Sequence, residues 1–142
     1  MRWMFKIMNR VHPWLYRLRK GRGVDRVQGA PVLVVTTTGR KSGRPHTVVV
    51  SYVRDGEDLV LIGSAGGLPR HPAWALNLRD RPEGEAQLGA ERFRVRSEWL
   101  AGEERERLWR RVIELHPFFG GYQQKTDRTL PLIRLRRISA GS

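Results

Sequence analysis

Two segments of the chain carry the residue types that bind and polarise a ligand. The first is Thr36 to Pro45, TTTGRKSGRP, in which two glycines and several hydroxyls sit beside Arg40, Lys41 and Arg44. Backbone N–H groups of such a turn converge on an anion while Arg40 and Lys41 neutralise it, so its chemistry would be phosphate binding. A solvated loop is the competing reading. The spacing is not that of a P-loop, because a strand follows where a helix should. The second segment is Ser64 to Asn77, SAGGLPRHPAWALN. A glycine pair ahead of a helix start lets the backbone approach a planar or anionic ligand, and the helix dipole adds positive potential. A flexible strand-to-helix connection is the alternative, but Arg70, His71, Trp74 and Asn77 are unusual content for a passive loop.

Other chemistries are excluded or unsupported. There is no Cys, which removes disulfides, thiolate zinc sites, cysteine-ligated clusters and cysteine nucleophiles. His12, His46, His71 and His116 form no i, i+4 pair and have no sequence-near carboxylate, so no metal site is expected. No Ser occupies a nucleophile elbow. Two cationic, glycine-bearing turns among apolar strands, with no evident acid, base or nucleophile, suit a pocket for an anionic cofactor that carries the reaction itself.

The elements around these turns follow from periodicity. Val32 to Thr38 and Thr47 to Val53 are β-branched runs on either side of the basic turn, and Leu59 to Gly63 follows the tight Asp55-Gly56 turn as a third strand. A helix is expected from about Pro72 to the Arg81-Pro82 stop. Glu85 to Leu88 and Arg92 to Trp99 alternate and pair across Gly89. A second helix runs from about Gly102 to Leu115, and Leu130 to Ile138 closes the chain as a strand, expected at an edge because of Pro131 and its outward arginines. This pattern predicts a mainly β, α+β domain, a small antiparallel barrel flanked by helices. The hairpin between the second and third strands disfavours a doubly wound parallel sheet.

The chain has 142 residues and a formal net charge of +13, enough for one domain. All but Lys6, Lys20, Lys41 and Lys125 of the 27 cations are Arg, and residues 1 to 30 hold eight of the cations against Asp25 alone. In residues 1 to 20, Met4, Ile7, Met8, Val11, Trp14, Leu15 and Leu18 follow helical spacing, with a cationic face mostly opposite and an interruption at His12-Pro13. This N-terminal amphipathic helix either packs on its own domain or lies on an anionic membrane surface. Residues 21 to 29 read as a linker and 30 to 138 as the cofactor-binding barrel. No apolar run approaches the roughly 20 residues of a spanning helix, and no signal peptide is evident, so a soluble, cytoplasmic chain is expected, peripheral on the inner membrane face if the helix binds lipid. A nucleic-acid module would interleave aromatics with its cations; RFRVRSEW comes nearest, with one Phe and a terminal Trp, and nucleic acid is not expected as a partner.

The stretch VLVVTTTGRKSGRPHTVVVSYVRDGEDLVLIGSAGGLPRHPAWALNL, followed by WRRVIELHPFFGGYQQKTDRTLPLIRL, resembles the deazaflavin-dependent nitroreductase family, also called coenzyme F420-dependent quinone or nitro reductases. The resemblance runs from about Gly21 to Arg136. It implies a split β-barrel that binds F420, an 8-hydroxy-5-deazaflavin with a phosphate, a lactyl group and a polyglutamate tail. The implied reaction is hydride transfer from the reduced ring carbon C5 to a quinone, nitroaromatic or other electrophilic conjugated acceptor.

By the same resemblance, Arg40, Lys41 and Ser42 would grip the phosphate, with His46 standing where Arg is more usual. Thr47, Val48, Val49, Val50 and Ser51 would run along the ring. Ile62, Gly63, Ser64 and Ala65, with Ala73, Trp74, Ala75, Leu76 and Asn77, would form the opposite lip, and Arg70 would meet the acidic tail. Acceptor positions fall on Ser51, Ala75, His116, Phe119 and Tyr122, fewer of them tyrosines than in the well-studied nitroreductases. Tyr122, or Ser51 through a water, would be the proton donor. Binding of FMN in place of F420 is the alternative on the same barrel. The expected partner is a small-molecule electron acceptor, and the sequence leaves the oligomeric state open.

Overall fold

The computed structural model describes residues 13–23, 26–27 and 29–138. Met4, Ile7, Met8, Val11 and His12 of the expected N-terminal stripe lie outside the described residues. What is described begins with α1 (Pro13–Arg19), a short helix with Pro13 in its first position, where the missing N–H costs no hydrogen bond. Tyr16 anchors it. This side chain is fully buried against Val32 and Val34, and its hydroxyl accepts the Gly89 N–H at 2.9 Å. Of the apolar stripe in this helix, Trp14 and Leu18 are each 64% exposed.

Seven strands follow among the described residues: β1 (Arg26–Val27), β2 (Ala30–Thr38), β3 (Pro45–Asp55), β4 (Asp58–Ile62), β5 (Glu83–Leu88), β6 (Glu91–Trp99) and β7 (Leu132–Arg137). They are ordered β1-β2-β3-β4-β7-β6-β5, and β5 also pairs with β2. Every pairing is antiparallel. The β2–β5 contact, Val34 to Thr36 against Glu85 to Gln87, therefore closes six strands into a barrel, removing the open edges that a sheet of this size would expose. β1, in the segment read from sequence as linker, adds only a two-residue pairing beside Ala30 and Pro31.

Alternation along the strands sorts side chains by face. Leu33, Val35, Val50, Tyr52, Leu61, Ala86, Val95, Ile133 and Leu135 fill the barrel, and α2 (Ala73–Asp80) closes it with Trp74, Ala75 and Leu78. On the outside, Ala30, Val53, Val60, Ile62 and Leu132 are covered by Leu108 and Val112 of α3 (Gly102–Leu115) and Phe119 of α4 (Phe118–Gln124). Glu103 and Glu104 occupy the first turn of α3, where negative charge suits the dipole.

Two expectations are corrected. β7 is not an edge strand: it lies between β4 and β6. Pro131 precedes the strand, so no ladder N–H is lost, and its carbonyl accepts the Gly63 N–H at 2.9 Å. Arg134, one of the supposed outward arginines, is enclosed by Asp55, Asp58 and Glu104 at 2.9 Å each. Helix α4 was not foreseen, because FFGGYQQ has weak helix propensity. The burial of Phe119 beneath α3 overrides that weakness.

Candidate functional site

β3 presents two faces with different roles. Val48, Val50 and Tyr52 point into the barrel core, whereas Val49 and Val53 pack outside it, which places Thr47 and Ser51 on the outer face by alternation. Over the outer end of this strand is a cavity of about 300 Å³, within the size range of small-molecule sites. Val27, Val32, Val48, Val49, Val50 and Ser51 form one side, Ile62, Ser64, Ala65 and Gly66 a second, Ala73 and Trp74 a third, and Phe118, Phe119 and Tyr122 the last. The lining is largely apolar. Among the described residues its side-chain hydroxyls are Ser51, Ser64 and Tyr122, and no carboxylate, imidazole, guanidinium or ammonium lines it.

The lip between β4 and α2 is built from unusual backbone. Ala65, Gly66 and Gly67 have φ of +46°, +64° and +80° in succession, and left-handed backbone at Ala65 costs roughly 1–2 kcal/mol. A Cβ on Gly67 would lie 2.8 Å from the Tyr122 carbonyl oxygen, so α4 can approach this closely only because the residue is glycine.

The cationic turn lies farther along the same strand. The Gly39 N–H donates to the Arg44 carbonyl at 2.8 Å, and the Gly43 N–H to the Gly39 carbonyl at 2.9 Å. A Cβ on Gly39 would collide with Ser42 Oγ and the His46 ring, so both polar groups cluster over a bare backbone. The Arg40 N–H and Nη1 both donate to Asn77 Oδ1, at 3.1 and 3.3 Å, and Asn77 Nδ2 donates to Thr37 Oγ1 at 3.1 Å. Asn77 thus fixes the turn to α2. Lys41, Ser42, Arg44 and His46 face solvent. Thr47 hydrogen-bonds Thr36 at 3.0 Å, and Thr36 Oγ1 in turn accepts Arg17 Nη2 of α1 at 3.1 Å.

The residues singled out from sequence therefore separate into groups. Val48, Val49, Val50, Ser51, Ile62, Ser64, Ala65, Ala73, Trp74, Phe119 and Tyr122 converge on the cavity. Arg40, Lys41, Ser42, His46 and Thr47 belong to the turn end of β3 and do not line it. Ala75 is fully buried in the barrel core, its carbonyl accepting Trp99 Nε1 at 3.1 Å. Leu76 and the exposed Arg70 also stand away from the cavity lining, and Gly63 packs on Pro131. His116 sits edge-on to Phe119, and burial followed by the Arg26 charge lowers its pKa from 6.5. Val27, Val32 and Phe118 line the cavity without having been singled out for it, and Gly66 of the glycine pair lines it as well. The first two come from a segment read as linker and from a run read as core, and nothing in their residue types marked them.

Cavity and turn fit one elongated ligand. From Ser51 to Thr47 the strand rises about 13 Å, linking an apolar slot suited to a flat ring with a cationic turn suited to a phosphate. Among the described residues no group of three or more His, Cys, Asp or Glu side chains converges as a metal would require. Fold and site together are a split antiparallel barrel that carries an apolar cavity and a cationic turn along one strand.

The family model for F420H(2)-dependent quinone reductase matches residues 8–136, and the chain belongs to that family. Its cofactor is coenzyme F420. The chain is 36% identical over 132 residues to an F420H(2)-dependent quinone reductase of Mycobacterium tuberculosis, covering 90% of this chain and 89% of that one. It is similar to a solved F420-H2 dependent reductase at 34% identity and a TM-score of 0.68, covering 75% of this chain and 94% of that chain. A further solved chain, a domain-swapped dimer, matches at 31% identity and a TM-score of 0.70, covering 95% and 98%.

Proposed function

We propose that the cavity holds the deazaflavin ring of F420 and the Arg40–Ser42 turn its phosphate, and that the chain reduces a quinone placed against Phe118, Phe119 and Tyr122. The observation that carries this reading is that the apolar cavity and the cationic turn share the outer edge of one strand. When bound, the reduced cofactor supplies a hydride to the acceptor. The protein's own residues bind, align and exclude water. Val48 to Ser51 offer backbone groups along the ring edge, the Ser64–Gly66 backbone closes on the other side, and Trp74 and Phe119 keep the slot dry. Lys41 neutralises the phosphate, Arg40 is held ready by Asn77, and exposed Arg70 meets the acidic tail. Ser51 and Tyr122 are the hydroxyls placed to hand a proton to a reduced acceptor oxygen. A flat nitroaromatic fits the same apolar walls as a weaker substrate.

Titration of the protein with F420 and with FMN, followed by intrinsic Trp fluorescence, tests the cofactor reading, with quinone-dependent oxidation of F420H2 as the second readout. F420 binding with quinone turnover is expected. A preference for FMN, or no binding of either, overturns it. Lys41→Ala is expected to raise the F420 dissociation constant by about tenfold, because hydrogen bonds to charged groups contribute roughly 1.5–3 kcal/mol.

A membrane-surface role for residues 1 to 20 is favoured by one observation: Trp14 and Leu18 are exposed one helical turn apart, beside Arg19 and Lys20. Among the described residues no helix is long and apolar enough to cross a membrane. Salt-sensitive sedimentation with anionic vesicles is expected of the intact chain and not of Trp14→Ser/Leu18→Ser. Equal sedimentation of the two removes the surface role.

A further inference from the structure

We infer that Arg128 is the positioning residue for the cofactor lip, clamping the Gly63–Leu68 segment in the conformation that the cavity needs. This rests on the cofactor reading above. Arg128 lies in the connection after α4, distant in sequence from both glycine turns, and it touches neither the cavity nor the cationic turn. Its guanidinium nonetheless spends its donors on the lip. Nε donates to the Leu68 carbonyl at 2.8 Å, Nη1 to the Gly63 carbonyl at 3.1 Å, and Nη2 to the Ser64 carbonyl at 2.7 Å. Nη1 also faces His71 Nδ1 at 3.1 Å.

These carbonyls bracket the three consecutive left-handed residues Ala65, Gly66 and Gly67. A segment in that conformation persists only where its surroundings over-determine it. A planar fork with five fixed donors can hold several diverging carbonyls at once, which a flexible ammonium cannot. Because guanidinium only donates, His71 Nδ1 must be the acceptor, so the imidazole is neutral with its proton on Nε2. Ser64, Ala65 and Gly66 line the cavity; the clamp therefore sets where the lip stands against the ring without contacting the ring.

The clamp is itself held from the acceptor side. Gln123 of α4 donates through Nε2 to the Arg128 carbonyl at 2.7 Å and accepts the Leu130 N–H through Oε1 at 3.0 Å. The helix that carries Phe119 and Tyr122 thus shares a hydrogen-bonded frame with the opposite lip, and Arg128 is the joint between them.

The test uses the full chain and Arg128→Ala. Three readouts are expected: an F420 dissociation constant raised about tenfold or more, kcat at saturating cofactor within about twofold of wild type, and faster amide hydrogen exchange confined to Ser64–Leu68 in the ligand-free protein. Millimolar guanidinium, compared with equal sodium chloride, is expected to restore affinity and exchange protection, an effect that a mere packing defect would not show. Unchanged affinity in Arg128→Ala, or unchanged exchange in the lip, overturns the inference. Should Arg128→Ala fail to fold, Arg128→Lys is measured in the same way with the same criteria, since it keeps charge and stem but not the fork. Failure of the wild type to bind F420 would sink the cofactor reading instead, leaving exchange in the lip as the judge of Arg128.

Discussion

Replacing Asn77 by Ala separates two roles that the geometry joins, stability and cofactor affinity. The side chain is 2% exposed. Its Oδ1 accepts the Arg40 N–H and Nη1, and its Nδ2 donates to Thr37 Oγ1. Truncation leaves the Arg40 N–H and the buried Thr37 hydroxyl without these partners. Each stranded group costs about 1–3 kcal/mol, but Arg40 is half-buried and Thr37 can rotate its hydroxyl, so a total near 2–3 kcal/mol is expected. For a chain of this size that lowers Tm by about 6–10 °C. The same change frees the cationic turn from α2, so the F420 dissociation constant measured well below Tm should rise at least fivefold, about 1 kcal/mol. Asn77→Asp keeps the acceptor for Arg40 and should recover most of the affinity. Calorimetry and fluorescence titration on the three proteins read both quantities. A lowered Tm with wild-type F420 affinity in Asn77→Ala would refute the argument that Asn77 positions the turn.

Arg134→Ala should be among the more destabilising single changes outside the site. The side chain is 6% exposed and neutralises Asp55, Asp58 and Glu104; without it three carboxylates face one another, at about 3 kcal/mol given their partial exposure, read as Tm, with activity retained below the transition. Hydrogen bonding from Arg107, with Arg134 adding to it, holds Asp55 below its ordinary pKa of 3.8. Its contribution to stability is therefore present above about pH 3.8 and lost as pH falls through the lower, folded value, which denaturation midpoints across the acid range will show. Burial, then the charges of Arg128 and Arg79, keep the His71 pKa below 6.5. Folded stability should weaken as pH drops from 6.5 towards that depressed value, and cofactor affinity only as pH falls through it, because protonated His71 cannot accept from Arg128; affinity unchanged once His71 is protonated in the folded protein would contradict the clamp.

Much of the barrel is legible in the sequence because its signals are local. β-branched alternation marks β2 and β3, Asp55-Gly56 marks their neighbour's hairpin, and α3 falls at Gly102–Leu115 as its periodicity indicates. What is not legible is decided by distant contacts. β7 looks like an edge until the carboxylates of Asp55, Asp58 and Glu104 are seen to absorb Arg134. Two glycines hide α4 until Phe119 is buried. Along Ala73 to Asn77 the resemblance is residue by residue, but a helix turns 100° per residue, so neighbours cannot all face one ligand. Ala73 and Trp74 reach the cavity, whereas Ala75 enters the barrel and Asn77 holds the turn. Arg128 carried no sequence signal, since one arginine in a chain this rich in arginine stands out only by the carbonyls it meets.

In the proposed reading, hydride transfer takes place in the cavity above Ser51. Ala73 lines that cavity from the exposed first position of α2 and is not part of the core, so Ala73→Trp fills it while leaving the fold intact. Anaerobic single-turnover oxidation of F420H2 by a quinone, compared between wild type and Ala73→Trp at matched Tm, is the direct measurement. The account predicts rapid oxidation by the wild type and loss of at least about a hundredfold in the variant, the scale of a misplaced reacting geometry. Wild-type rates in Ala73→Trp would place the chemistry elsewhere.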